Sequence, residues 1–589
     1  MNRPRLARLA WINAYRRLLW FALSVAAFAA VAGTASAAGE PGKEVKPVLP
    51  DKIGWNASGK DGVVAAGSPK AVAAGIEILK AGGNAADAAT ATIFALNITD
   101  HYACSIGGEA PVIIWDAKRR QVKVLSGQGR APLSEEAVKW YMTNGIPGGL
   151  DIKMAPVPSV VDLCTTMLKL YGTKSFEEII APALGLLNAG KEPWHPNLAV
   201  TLRKMVQSER TASGTREDKI QAASDRFYGR GGAPQDIADE LEAFYVQKGG
   251  FLRKADLAAH HTPVEDPVTV NYRGYTVCKC GPWTQGPYLL QALRLLEGFD
   301  LKKMGYGSPD YIHAVAEALK LGMADRDEYY GDPAFVKVPL SALLSDEYTR
   351  IRRPLIDMKH ASSEIRPGDP YAMIPLKGPG VIRPGAAGTT TCVVADRWGN
   401  VVSATPSANV PRKCQGGKAG VTYGNRLRSL NTAPGHPNCI QPGKRPRITL
   451  TPTLVLKDGE PILAISVAGG DLQDQVTLEL LLGFIDFGMM PQADVTAPRF
   501  STASHQDSFN PSPDRAKTIG RLGSLTVNDT VSKSAQEELA ARGHKLKVNH
   551  GAIGAPVMLY VEPAGGMVYA AGDPSANRHA AAVPEGKSR

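Results

Sequence analysis

Long apolar runs are missing from this chain beyond its first residues. Outside the N-terminus no stretch of about 18 or more apolar residues occurs, which excludes a polytopic membrane protein. A basic stripe is missing too. The formal net charge is +11, but five arginines (Arg3, Arg5, Arg8, Arg16 and Arg17) fall within residues 1–37, where there is no acid. The rest of the chain carries only a mild excess, so a nucleic-acid partner is not expected. There are few charge runs and no internal repeat, and Cys278 and Cys280 have no further metal ligands near them in the sequence. No metal or organic cofactor is expected. Cysteine is scarce and odd in number, at seven, so in an exported chain at least one stays unpaired.

What is present is globular. The 589 residues are 44% hydrophobic and 21% charged, enough for one large or two to three ordinary domains. Glycine (60) and proline (43) are somewhat high, which fits many tight turns. The early arginines precede the apolar stretch Leu18–Ala32, and Ala35-Ser36-Ala37 follows as a small-residue cleavage pattern. This order is that of a secretory signal peptide over 1–37, too short to be a comfortable span; a single N-terminal anchor is the other reading. The mature chain is expected to be periplasmic or secreted, with no membrane attachment. Cys414 and Cys439 flank one Gly/Pro-rich loop and could bridge it. Cys278 and Cys280 share one face of a strand, and most cysteines read as core residues.

Residues 38–60 read as a linker. Helices are expected over Pro69–Lys80, ended by Gly82-Gly83, and from Ala85 to about Asn97. Strands are expected at Pro111–Trp115 and Val122–Leu125, and residues 156–330 read as mostly helical with a strand near Tyr272–Cys280. The stretch 340–388 has little periodicity. From Thr389 the character changes. TTTCVVAD (389–396) and VVSATPSA (401–408) read as paired strands around a turn at Arg397–Asn400. Further hairpins fall at Thr453–Lys457 with Ile462–Val467, and at Ala555–Glu562 with Met567–Ala571. Helices fall at Gln473–Phe487 and Ser534–Arg542. Two groups of strands with helices around them predict an α+β fold with αββα layers.

Gly388 precedes Thr389-Thr390-Thr391 at the start of a strand. Threonines are good strand formers, which is the plain explanation. A threonine that becomes a chain terminus by self-cleavage is the functional one. Its freed α-amine, with an ordinary pKa near 8, can serve as base for its own hydroxyl.

The chain resembles the γ-glutamyltransferase (glutathione hydrolase) family of N-terminal-nucleophile hydrolases. The resemblance runs over about residues 60–580. It is carried by GSPKAVAAGIEILKAGGNAADAA (67–89), SIGGEAPVIIWDA (105–117), YGTKSFEEIIAPAL (171–184), YRGYTV (272–277), LLEGFDL (295–301) and YIHAVAEALKLGMADRDEYYGDPAF (311–335). In the second half it is carried by TTTCVVADRWGNVVSAT (389–405), GKRPRITLTPTLVLKDG (443–459), VAGGD (467–471) and FIDFGMMPQADVTAPRF (484–500). It implies a four-layer αββα fold built jointly by a large region, 61–388, and a small one, 389–589. The two would be cut apart before Thr389 and stay together as a heterodimer from one precursor. It implies Thr389 as nucleophile and Ser407 as the hydroxyl that hydrogen-bonds it, a Thr-to-Ser change. Asn409 matches the asparagine near the α-amine, and 407/409 alternation fits one strand face. Gly469 and Gly470 match the pair whose N–H groups bind the oxyanion.

The substrate pocket departs from the family pattern. Gln128 falls where an arginine is expected, with Arg130 two residues on. Arg426 and Ser429 fall where acidic or amide side chains would hold the α-ammonium of a γ-glutamyl group. Ile448 and Thr449 fall on a serine pair. An arginine at the ammonium position opposes a second cation. The expected substrate is thus a small-molecule amide with an acidic acyl group lacking the α-amine, gripped by Arg426 or Arg130, as in glutaryl-type amides. If instead Asp471 or Glu109 supplies the charge, the substrate is a γ-glutamyl peptide. The loop from Asn431 to Pro446 is shorter than the family's lid, which favours water over an amine as acceptor. A non-catalytic periplasmic binding protein on the same fold is the reading from another class. Asp87 is expected to pack a helix, and His260-His261 to be core or surface residues.

Overall fold

The computed structural model describes residues 52–584 apart from 150, 378–388, 411–413, 519 and 564. The expected signal peptide and the segment just before Thr389 lie outside the described residues. Those that are described belong to one unit, Val48–Arg589, so the regions before and after residue 389 are not separate bodies.

Two seven-stranded antiparallel sheets form the centre. The first runs His579–Ala582, Gly62–Ala66, Cys392–Asp396, Val401–Ala404, Val112–Asp116, Gln121–Leu125 and Val264–Glu265. The second runs Asn56–Gly59, Val568–Gly572, Ala555–Val561, Glu460–Ala468, Thr453–Lys457, Tyr275–Lys279 and Val268–Tyr272. Each sheet therefore takes strands from both sides of residue 389. Scission there would leave every strand pair intact.

The layering follows from the two-residue period of strands. Val63 and Ala65, Val393 and Ala395, and Ile113 and Trp115 turn to one face. There they meet Leu454, Ala464, Val557 and Leu559 of the second sheet. The alternate residues, Val64 and Ala66 and Cys392 and Val394, pack outward on the alanine-rich helices Pro69–Lys80 and Ala85–Thr99. On the far side Val455, Leu463 and Ile465 bury the helices Pro287–Leu296, Pro309–Tyr329 and Gln473–Ile485. Helix, sheet, sheet, helix is the expected αββα order. Asp87 accepts from Asn84 N (3.0 Å) in a capping box and from Thr173 Oγ1 (2.7 Å), which is the helix-packing role expected of it. His260 is buried, and its burial lowers its pKa to about 3.

Several local expectations change. The last part of the proposed linker, Asn56–Gly59, is an edge strand paired with Val568–Gly572. The strand near 272–280 is half of a hairpin, with Val268–Tyr272 as its partner. The strand expected over 389–396 begins only at Cys392, and its partner over 401–408 ends at Ala404. A small sheet of Phe500–Ser501, Ser524–Asn528 and Lys545–Asn549 was not foreseen. All seven cysteines are free thiols, so Cys414 and Cys439 do not bridge. Cys278 and Cys280 lie in the core between the sheets, as expected.

Candidate active site

The threonine triplet leads into Cys392–Asp396, an interior strand of the first sheet. Thr390 N donates to Pro406 O (2.9 Å) and Thr391 O accepts from Gly67 N (3.2 Å). Those bonds hold residues 389–391 against the segment that leaves the neighbouring strand. Thr389 is 7% exposed, and its Oγ1 lies 3.4 Å from Ser407 Oγ.

Ser407 is placed by a second backbone pairing. Its N–H donates to Glu109 O (2.8 Å), and Glu109 N donates to Ser407 O (3.0 Å). Gly108 makes this approach possible. A Cβ there would sit 2.2 Å from Ser407 O, so any larger residue would push the strands apart. Glu109 is fully buried and its Oε1 accepts from Arg426 Nε at 2.6 Å. Arg426 Nη2 donates to Ser407 Oγ at 2.7 Å. A continuous chain thus runs Glu109, Arg426, Ser407, Thr389. Arginine can only donate, so the Ser407 oxygen is an acceptor in this chain. The ring of Phe509 lies under both Arg426 (5.4 Å) and Arg428 (4.5 Å). Burial raises the Glu109 pKa even against the pull of Arg426 and Arg428. Burial, reinforced by Arg426, lowers that of Arg428 to about 10.

The glycine pair closes the strand Glu460–Ala468. Gly469 has φ +146° and Gly470 φ +63°, backbone that side-chain-bearing residues rarely adopt. The turn is anchored from below. Arg326 Nη1 donates to Asp471 Oδ1 (2.6 Å) and to Gln285 Oε1 (2.8 Å), and Gln285 Nε2 reaches Gly470 O at 3.5 Å. Ser508 adds two bonds to Asp471. Burial would raise the Asp471 carboxyl, but Arg326, His505 and Ser508 hold it well below the usual carboxylate range. A cavity of about 480 Å³ opens beside this turn, lined by Gly469, Asp471, Leu472, His505, Asp507 and Phe509 among others. An added Cβ at Gly469 meets Leu472 Cβ at 3.2 Å. If Gly469 is an oxyanion donor, as the family resemblance implies, Gly469→Ala is expected to cut kcat by about 10²–10³. Steady-state kinetics at a temperature well below the strained variant's lowered melting point would check it.

The expected binding residues divide into two groups. Arg426 joins Ser407 and Thr389. Thr449 also belongs near them, because its carbonyl holds the Gln473 amide that faces Thr389 (2.8 Å). Its own hydroxyl is buried and without a partner among the described residues, as is that of Ser429. Gln128 is engaged elsewhere, and Arg130 is partly buried with its Nε unpartnered among the described residues. Gln128 Nε2 donates to Pro446 O (2.5 Å), and burial, then Arg445, lowers the Arg130 pKa beside Asp332 and Glu265. Asn409 does not share a strand face with Ser407. It lies beyond the strand with φ +56°, and its N–H points to Ala103 O (3.4 Å). Two residues stand out that were not among the expected site residues. Glu109 was weighed only as an alternative charge, although a lone acid inside the apolar run 106–115 is a readable signal. Gln473 carried no signal, because it opens a helix that is buried nearly all round.

A threonine leading into one of two stacked sheets, linked through the Gln473 amide to the strand of the second sheet that ends at the glycine turn, fits an N-terminal-nucleophile hydrolase or acyltransferase. The comparisons narrow this. The sequence matches the family described as Gamma-glutamyltranspeptidase over residues 71–217 and 194–583, and the chain belongs to that family. It is 29% identical to a glutathione hydrolase proenzyme of Bacillus subtilis (strain 168), covering 88% of this chain and 91% of the relative. It is 31% identical to an acylase ACY 1 proenzyme of Pseudomonas sp. (strain SE83), covering 83% and 88%. A solved cephalosporin acylase from Bacillus halodurans superposes with a TM-score of 0.73 at 26% identity, covering 93% of this chain and 99% of that one.

Proposed function

We propose that this chain is a self-processed amidase. It is cut before Thr389 and cleaves an amide through a threonyl ester at that residue. The freed Thr389 amine takes the hydroxyl proton, and Oγ1 attacks the amide carbonyl. The N–H groups of Gly469 and Gly470 bear the oxyanion. The amine product leaves with a proton, and water hydrolyses the ester. The chain's own large and small regions remain joined through the mixed sheets. Export to a periplasm or beyond follows from the leader over 1–37. No helix among the described residues is long and apolar enough to cross a membrane.

The acyl group we assign is acidic and lacks an α-amine, and Arg426 carries that assignment. Its guanidinium is 3% exposed, 2.7 Å from the hydroxyl that touches Thr389, and its Nη1 has no partner among the described residues. A buried donor without an acceptor is costly. An acyl carboxylate would supply the acceptor as part of a charge-assisted bond. That relatives named as acylases and as glutathione hydrolases both match this chain is compatible with either acyl group. The 431–446 loop supports hydrolysis. It is short, and His436 pins it to the Asp327 carbonyl (3.1 Å), so we assign it no closure over the acyl ester.

One observation favours the γ-glutamyl reading. Glu109 Oε2 is also buried without a partner, and an α-ammonium would satisfy it. Parallel turnover of glutaryl and γ-glutamyl anilides decides between the two. The glutaryl substrate is expected to win in kcat/KM by about tenfold or more, the cost of opposing two cations in a dry site. A wide margin for the γ-glutamyl anilide would overturn the assignment of the acyl group and leave the amidase reading intact.

A further inference from the structure

We infer that Gln473 positions the nucleophile, its amide oxygen accepting the Thr389 hydroxyl while its amide nitrogen is tied to two backbone carbonyls beside the oxyanion turn. The inference rests on Thr389 being the nucleophile.

Gln473 is 1% exposed and opens the helix Gln473–Ile485 directly after the Gly470–Leu472 turn. The end of its side chain is surrounded by three groups. The amide lies 3.4 Å from Thr389 Oγ1. Its other atom lies 2.8 Å from Thr449 O and 3.1 Å from Val467 O. Carbonyl oxygens only accept, so the nitrogen must face Thr449 and Val467. The oxygen is then turned to Thr389, which has a proton to give. Both N–H bonds are used and the orientation is fixed.

This arrangement joins three parts of the site through one side chain. Val467 is two residues before Gly469, so the amide measures the distance between nucleophile and oxyanion donors. On the opposite side Arg426 donates to Ser407, whose hydroxyl lies beside Thr389 Oγ1. The hydrogen bonds then run in one direction, from Arg426 through Ser407 and Thr389 to Gln473. In the uncut chain the Thr389 nitrogen is an amide and cannot act as base. Gln473 is then the acceptor that holds Oγ1 in the orientation from which it attacks. It does not take the proton, which passes to the Thr389 nitrogen as the peptide bond breaks and later to the free amine.

Two variants of the full chain test this. Gln473→Met keeps the volume and removes the donors and the acceptor. It is expected to slow the appearance of a Thr389 N-terminus and to lower kcat, each by about tenfold to a hundredfold. KM for the anilide substrate should stay near wild type, while the melting temperature falls by a few degrees because two buried carbonyls lose their donor. Gln473→Glu separates positioning from packing. Protonated, the new carboxyl donates to Thr449 O and accepts from Thr389, so scission, which needs no free amine, recovers at acid pH. Ionised, it has no proton to donate and faces two carbonyls, so scission slows as pH rises. Turnover in both proteins still needs the amine unprotonated, so the acid rescue is read on scission and not on kcat. Scission and kcat within twofold of wild type in Gln473→Met would overturn the proposal. So would a loss that follows a lowered melting temperature with no acid rescue in Gln473→Glu. Continued cutting and turnover in Thr389→Ala would instead defeat the nucleophile assignment, whatever Gln473 does.

Discussion

Replacing Thr389 with alanine is expected to leave one uncut chain with no measurable amide turnover. The loss should approach the roughly 10⁶-fold fall seen when the nucleophile of a concerted catalytic unit is removed. The reason is that one residue supplies two functions. In the proposed mechanism its oxygen attacks, and its nitrogen, once freed, takes the proton. Neither Ser407 nor the buried Thr390 and Thr391 can replace it, because none of them would become a terminus at that cut. The fold should survive. Among the described residues Thr389 Oγ1 makes long contacts, 3.4 Å to Ser407 and 3.4 Å to the Gln473 amide, and the strand it precedes is held by backbone pairing. Thr389→Ser keeps both functions and should retain scission at a reduced rate. Gel mobility, N-terminal sequencing and an anilide assay read all three outcomes.

Arg426→Gln is expected to change stability and specificity together. Breaking a buried pair from one side leaves an uncompensated charge and costs about 3–5 kcal/mol. Arg426 and Glu109 are 3% and 0% exposed at 2.6 Å, so little solvent screening reduces that figure. Adding Glu109→Gln should restore most of the loss, because both charges are then gone. The sign of the pH effect follows from Glu109. Burial already raises its carboxyl above the ordinary value, and losing Arg426 raises it further. A raised carboxyl favours the fold below its unfolded pKa, and that contribution disappears as pH rises through the folded value. The deficit of Arg426→Gln should therefore shrink in acid and grow in alkali, as read by calorimetry across pH. In the same variant the preference for an acidic acyl group should vanish through KM. A variant that kept the glutaryl preference would place the carboxylate on another residue.

Much of this was legible because it depends on local pattern. Continuous apolar runs at 112–115 and 392–395 mark strands buried on both faces, and the alanine-rich stretches at 69–80 and 85–97 mark closely packed helices. The triplet before Cys392 and the pair Gly469-Gly470 were readable as chemistry for the same reason. Each needs a particular residue type at one backbone position. What was not legible depends on which segments meet. Asn56–Gly59 looks like linker until Val568–Gly572 pairs with it. Ser407 and Asn409 look like one strand face, but the strand ends at Ala404 and Asn409 turns to positive φ. Gln128 looked available, yet Pro446, far along the chain, takes its amide. Arg426 looked like a free cation, and its pairing with Glu109 depends on the approach that Gly108 permits. Gln473 could not be singled out at all, because its role lies in three distant partners.

The central claim is that chain scission makes residue 389 a terminus. Mass spectrometry of the purified wild-type protein tests it most directly. The account predicts two polypeptides that copurify, the smaller beginning at Thr389 and ending with the chain. A single full-length polypeptide that nevertheless turns over the amide, or a cut at any other residue, would contradict it.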